Sequence, residues 1–444
     1  MRIAIIGGGA AGLSAGYQLA KHGVQVELIE RDRTLGGLAG SFLLEGGYVE
    51  KFYHFICLHD NIYQEVLKEL GLHHRLRWKL TEMGQFYNGT LYSFGRPTDL
   101  FFFPYLPWRD KIRFAFEIMK IKSAPWNDWK KIENVPVDDW LQQTFGTHVY
   151  RTLHEPMVRL KFGEYKTKLS AAWMWARIHR LGRSRTKIRQ REKVGYVEGG
   201  SQTIMDALGD EIRKRDGRIT LQASVDRLIF DNAAVKGIVV NGQEKFYDAV
   251  VSTVPLPAFL NLIPSNLQGE YWTRLRSIES IGVMCVFVRA KKSLTKFFWT
   301  NVSDPEIELA GIIEYTNLNP LSHLGGDSII YLPQYLPSSA EKFRKTNAEV
   351  IQEYLGYLKR INPHFSEDQV KDAFVFREKY AQPICEVGFT KDIPEIRTPL
   401  RGLYLTDSSQ LHPDDRTISN SLGLGKSAAA QMMEDSSAGI LPAL

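Results

Sequence analysis

The chain opens on a short uninterrupted apolar run, residues 3–6, followed by three spaced glycines and then by apolar positions at helical intervals. A second β-rich run, 24–29, ends at Glu30. Short runs that are apolar at every position read as strands buried on both faces, which is how parallel sheets are built. The pattern therefore predicts a strand–helix–strand unit at the N-terminus. The same kind of pattern returns twice. A helical stretch at 203–214 is followed by β-like runs at 219–221, 223–229, 235–240 and 249–255. Near the C-terminus a strand over 402–407 ends in Asp407, and a helix opens within 417–425 and runs on through 428–433. The parallel strands thus come from three segments, about 1–70, 195–260 and 398–444. The intervening 71–194 and 261–397 are predicted to form a second, discontinuous α+β region. Its 97–190 part reads as helical, with helices at 109–122, 137–145 and 147–160. Its 279–397 part reads as antiparallel sheet, with strands at 281–288, 307–315 and 328–335 and a helix over 340–360. The fold class is α/β.

The N-terminal unit carries chemistry as well as structure. Gly7, Gly9 and Gly12 stand in G-x-G-x-x-G order. Gly7 permits a tight turn, Gly9 lets the backbone approach a pyrophosphate, and Gly12 allows close helix–sheet packing. The helix N-terminus that follows favours negative charge. Glu30 lies eighteen residues after Gly12, close to the spacing at which an acid accepts hydrogen bonds from a ribose. The unit is a complete dinucleotide-binding fingerprint. It does not by itself separate NAD from FAD.

Leu35-Gly36-Gly37-Leu38-Ala39-Gly40 follow the second strand almost at once, with Arg31 directly after Glu30. In this the chain resembles the flavin-containing amine oxidoreductase superfamily, which includes amine oxidases, protoporphyrinogen oxidases and phytoene-type desaturases. Many amine oxidases have Arg after the glycine pair; this chain has Leu38, which points away from amine oxidation and leaves FAD binding untouched. Residues 196–201 resemble the family's second flavin-domain segment, and 402–407 with 417–425 its C-terminal one. Thr406 stands where the family usually has Gly, and Asn420-Ser421 and Leu424-Gly425 replace its Gly-Ala and Ser-Gly. The resemblance implies a Rossmann-like FAD-binding domain of the two-dinucleotide-binding-domain type, with 71–194 and 261–397 as a substrate domain packed over the flavin ring. It implies non-covalent FAD held by Gly7, Gly9, Ala10, Ala11, Gly12, Glu30, Arg31, Gly36, Gly37, Leu38 and Ala39. Val225 would contact the adenine side through its backbone, and Asp407, Ile418, Ser419 and Ser421 complete the set. The helix opening at Ile418 would steady negative charge on the reduced flavin through its backbone N–H groups.

Composition narrows the setting. Hydrophobic content of 44% and charged content of 24% are those of an ordinary globular protein. The net charge of +6 over 444 residues is mild. The fingerprint starts at residue 2, so no signal peptide is expected, and no apolar run is long enough to span a bilayer. Cys57, Cys285 and Cys385 are far apart, which fits a reducing cytoplasm and gives no zinc site and no disulfide framework. Cys385 lies upstream of Asp407, as in family members with covalent flavin, but without their Gly-rich surroundings; a packed, inert thiol is the expectation. No metal or nucleic-acid motif stands out.

Catalytic side chains are less legible. His54 follows the Gly46-Gly47 turn, where family members bring a strand near the flavin ring; it reads as general base or substrate ligand, or as a structural histidine. Arg159 and Lys161 would hold an anionic group or form a solvated cluster. Tyr315 and Tyr335 would line a substrate cavity or sit in the core. Residues 100–108 are aromatic and punctuated by prolines, and Arg109, Lys111 and Arg113 follow. This 100–122 stretch reads either as cavity wall or as a peripheral contact with a membrane, which would place a cytoplasmic protein at its inner face. The leading function is FAD-dependent dehydrogenation of a hydrophobic small molecule. A flavin-dependent isomerase or mutase and a non-catalytic flavin-binding protein are the alternatives.

Overall fold

The computed structural model describes residues 1–183 and 192–442. The end of the predicted helical stretch, 184–190, lies outside the described residues. At the centre is a five-stranded parallel sheet. Its order is Arg218–Thr220, Gln25–Ile29, Arg2–Ile6, Ala249–Ser252, Leu403–Leu405. Ile3, Ala4, Ile5, Leu28, Val250, Val251 and Leu405 are fully buried, as strands covered on both faces require. Each such side chain of Val, Leu or Ile size contributes about 1.5–3 kcal/mol. Helix Ala10–Lys21 crosses from the first strand to the second and packs between Gln202–Arg213 and Ile418–Ser437. Gly425 makes the last contact possible: a Cβ there would lie 2.1 Å from the Ala11 carbonyl oxygen.

Not every β-like run of 195–260 enters this sheet. Val225–Asp231, Ala234–Val240 and Gln243–Phe246 form a separate antiparallel meander. Asn241 and Gly242 both have positive φ (49° and 78°), the conformation of a tight two-residue hairpin.

The second region is built on a seven-stranded sheet. Its order is Val370–Pro383, Ser280–Ala290, Ser328–Leu336, Gly311–Glu314, Trp299–Val302, Met83–Tyr87, Thr90–Ser93. The antiparallel expectation needs correction: Trp299–Val302 runs parallel to Met83–Tyr87, so the sheet is mixed and borrows a hairpin from upstream of the helices. The strand expected over 307–315 is only Gly311–Glu314. The helix expected over 340–360 is two, Glu341–Arg344 and Asn347–Ile361, because Thr346 starts a new one. Thr346 Oγ1 accepts the Glu349 N–H while the Glu349 carboxylate accepts the Thr346 N–H, a capping box. The stretch 147–160 is also broken. A wide π-type turn, Tyr150–His154, comes just before Pro156, which has no N–H to continue an α-helical ladder. Helices Trp108–Ser123, Val137–Phe145, Glu155–Phe162 and Ala171–Arg183 complete this region.

Candidate functional site

Open parallel sheets bind ligands beyond the carboxyl ends of their strands. Here that edge opens on a cleft of about 680 Å³. Its floor is the fingerprint. Gly7 has φ +106°, a conformation L side chains rarely adopt, and turns the chain out of the first strand. Gly12 lies beneath, not in the cleft; a Cβ there would meet the Gly7 carbonyl oxygen at 2.0 Å. At Gly9 a Cβ would meet nothing within 4 Å, so bare backbone faces open space. The Gly36 N–H donates to the Gly8 carbonyl at 2.8 Å, which staples the second glycine turn onto the first. Ala10 and Ala11, Gly37, Leu38 and Ala39 line the same floor.

Glu30 is buried at one end. Its Oε2 accepts the Gly8 N–H at 2.5 Å and its Oε1 the Asp32 N–H at 2.8 Å. Each oxygen keeps a second lone pair, as ribose hydroxyls need. Arg31 sits on the rim, exposed and paired with Glu378 at 3.2 Å. Val225 lines the wall where the meander begins. Asp407 reaches the cleft too, but its carboxylate ties two loops together, accepting the Leu256 N–H at 2.9 Å and the Ser409 N–H at 2.8 Å. Its neighbour Thr406 has a buried Oγ1 without a hydrogen-bond partner. Ile418 and Ser421 open the twenty-residue C-terminal helix onto the cleft, and Thr417 caps it by accepting the Asn420 N–H. Ser419 differs from its expected place: its Oγ accepts the Tyr63 N–H at 3.2 Å, and it borders a neighbouring cavity instead. A glycine-bared floor, a paired acid, an unsatisfied hydroxyl and a helix N-terminus fit a dinucleotide with its charged middle on the fingerprint.

The neighbouring cavity is smaller, about 190 Å³, and shares Leu38, Phe52, His54, Arg416, Thr417 and Ile418 with the cleft. It combines an apolar wall, including Phe55, Val283 and Trp299, with an unusual number of charges. Lys161 projects in from the end of helix Glu155–Phe162, its Nζ 4.6 Å from the ring centre of Trp173 and 5.0 Å from that of Tyr335. Burial pulls its pKa down to about 7, with Arg177 and Arg416 adding repulsion against the attraction of Asp415. Arg177 pairs with Asp415 at 3.2 Å and Arg180 with Asp60 at 3.3 Å. Arg416 donates to the Tyr335 hydroxyl at 2.9 Å, while its buried Nε has no partner. Burial alone would raise the Asp415 carboxyl, but Lys161 and the arginines outweigh it and hold the group at about 2. Four basic side chains therefore face two carboxylates, Asp60 and Asp415. Glu50, also on the wall, is pushed up by burial; its Oε1 accepts the Tyr315 hydroxyl at 3.2 Å and its Oε2 is unpartnered.

Of the predicted catalytic residues, His54, Lys161, Tyr315 and Tyr335 meet at this cavity. His54 borders both spaces. Burial lowers it to about 4, and its Nδ1–H donates to the Phe52 carbonyl at 2.8 Å, leaving Nε2 as an acceptor. Arg159 does not join them: it is well exposed, pairs with Glu155 at 3.4 Å, and lies two residues from Lys161 on the other side of the helix. Arg177, Arg180, Glu50, Asp415 and Arg416 were not among the predicted residues. The only sequence signal for them is the Arg177–Arg180 helical spacing and the Asp414-Asp415-Arg416 run before the helix start. The three cysteines are buried and none lines either space.

The flavin-containing amine oxidoreductase family profile matches residues 10–433. Among curated proteins, 15-cis-phytoene desaturase from Synechococcus elongatus is 22% identical over 66% of this chain and 66% of its own length. Mitochondrial protoporphyrinogen oxidase from Nicotiana tabacum is 24% identical over 59% of this chain and 62% of its own length. The matches thus span slightly under two thirds of these relatives. Among solved structures, an oxidoreductase from Methanosarcina mazei superposes with a TM-score of 0.72 at 18% identity, covering 98% of this chain and 100% of that one. Reduced UDP-galactopyranose mutase gives 0.74 at 17% identity, covering 98% and 95%. At such identities these two neighbours speak for the fold.

Proposed function

Because the chain belongs to the flavin-containing amine oxidoreductase family, with FAD as its cofactor, we propose that it dehydrogenates a small organic molecule bearing an anionic group. When bound, FAD supplies the two-electron acceptor. The observation that carries the reading is the cation excess of the smaller cavity, which opens on the cleft at His54 and Arg416. A purely hydrocarbon substrate would leave the positive excess, Lys161 and Arg416 beyond the paired Arg177 and Arg180, uncompensated at a desolvation cost. A carboxylate or phosphate would pair with them, and the apolar wall would take the rest of the molecule. Arg177 and Arg180, already braced by Asp415 and Asp60, are preorganised to orient the anion. Lys161 is protonated below about pH 7 and adds its charge there. Neutral His54 offers Nε2 as a proton acceptor beside the shared boundary. No cysteine borders either space, which supports a non-covalently held FAD.

A second reading rests on the same cations. They would equally seat a phosphorylated substrate rearranged without net oxidation, the isomerase or mutase alternative. Pairs of candidate substrates that differ only in charge, an acid and its amide, test the main reading. Mixed anaerobically with the holoenzyme, the acid should bleach the flavin and the amide should not. Arg177→Gln should raise the half-saturating acid concentration at least about tenfold, the weight of one charge-assisted hydrogen bond. Equal bleaching by both members, or no effect of Arg177→Gln, would remove the anion from the account.

A further inference from the structure

Seven of the thirteen large apolar side chains that are exposed among the described residues fall within 101–126. Phe102 is 83% exposed, and Phe101 lies beside it. Trp108, Ile112, Phe116 and Met119 occur at helical intervals of four, four and three on Trp108–Ser123, so they form one stripe along the solvent face. Single exposed apolar residues need no explanation, but a contiguous stripe does. The inward face of the same helix is already satisfied. Ile121 is buried, and Phe114, Ala115 and Ile118 pack on the core. Lys111 is tied down by donating to the Phe101 carbonyl at 2.7 Å.

Charge says what covers the stripe. Residues 96–131 hold eight Lys or Arg and four Asp or Glu, a net +4 within a chain whose total is +6. By helical geometry Arg109, Arg113 and Lys120 run along one flank of the stripe. The acids are engaged locally: Glu117 with Lys120, Asp110 with His148, Asp128 with Lys131. Aromatic side chains beside a row of basic ones match the boundary between acyl chains and anionic headgroups. Among the described residues no helix is long and apolar enough to cross a membrane. We infer that helix Trp108–Ser123 and the Phe101–Phe102 corner form a peripheral docking surface for an anionic lipid bilayer. The placement suits the site. The docking helix packs on Ala171–Arg183, the helix that supplies Arg177 and Arg180 to the smaller cavity. Next to the docking helix, Trp126 lies against Trp175 and His179 of that same helix.

The surface is independent of the substrate's identity, so its test uses no turnover. The holoenzyme is floated with vesicles of phosphatidylcholine alone or mixed with phosphatidylglycerol, at low and high salt. Binding should require the anionic lipid and fall sharply with salt. Two variants, Ile112→Asp with Phe116→Asp and Arg109→Glu with Lys120→Glu, change exposed side chains only. Each should retain the flavin spectrum and bind at least about tenfold more weakly. The proposal fails if the parent does not float, if neutral vesicles bind it equally, or if both variants float like the parent. It fails too if light scattering finds a dimer that Ile112→Asp with Phe116→Asp dissociates, since a second copy would then be the occupant.

Discussion

Replacing Lys161 by Met should make the protein more stable at low pH and no more stable at high pH. The ammonium is buried among Phe162, Trp173 and Tyr335, and burial first, then Arg177 and Arg416, lower its pKa from 10.5 to about 7. The folded state therefore releases the proton before the unfolded chain does. Below about pH 7 both states are charged, and the fold bears the whole cost of the buried charge. As pH rises through the window to 10.5, the unfolded chain holds more protons than the folded one, and stability rises. Each pH unit of that window is worth about 1.4 kcal/mol, roughly 5 over its length. Met fills similar volume without charge and keeps the aromatic contacts. Urea unfolding of both proteins, followed by tryptophan fluorescence and circular dichroism, measures the difference, in which the titrations of groups that do not face Lys161 cancel. The Met variant should lead by about 5 kcal/mol near pH 6, with the lead shrinking to about 1 kcal/mol near pH 10. A pH-independent difference, or a less stable Met variant at both ends, would show that the Lys161 ammonium does not bear this burial cost.

Glu30→Gln should weaken FAD binding about ten- to hundredfold by flavin-fluorescence titration, because the amide can accept from only one of the two N–H groups that the carboxylate now serves. An unchanged dissociation constant would mean that Glu30 does not serve the ribose. Gly12→Ala should give folded but colourless protein, since its Cβ would lie 2.0 Å from the Gly7 carbonyl oxygen and must displace the fingerprint turn; a yellow variant of normal affinity would contradict this. Acid precipitation should leave all FAD in the supernatant, since none of the buried cysteines lines the cleft; yellow colour in the pellet would contradict it.

The N-terminal unit was legible because its signals are local. Apolar residues at 3–6, three glycines and Glu30 lie within thirty residues and each acts on its neighbours. The smaller cavity was barely legible because its charges arrive from distant segments: Asp60, Lys161, Arg177 with Arg180, and Asp415 with Arg416. No spacing rule links them. Arg159 and Lys161 show the limit most clearly. They are equally basic and two residues apart, yet a helix turns them about 200° from each other, one to water and one to the cavity. The mixed sheet was hidden for a similar reason: residues 83–87 carry no alternation that marks a strand, and the partner they run parallel to, Trp299–Val302, is distant in the chain. The exposed stripe on Trp108–Ser123 was visible as a pattern, but only burial shows which side of the helix the core takes.

The proposed reaction removes two electrons from a substrate held in the cation-lined cavity. Single-turnover mixing of oxidised holoenzyme with one equivalent of an anionic substrate, without oxygen, measures it most directly. One flavin should be bleached for each product formed, the product lacking two hydrogens, with the rate suppressed in Arg177→Gln. Isomerised product of unchanged composition, formed only after the flavin has first been reduced and with no net bleaching, would contradict it.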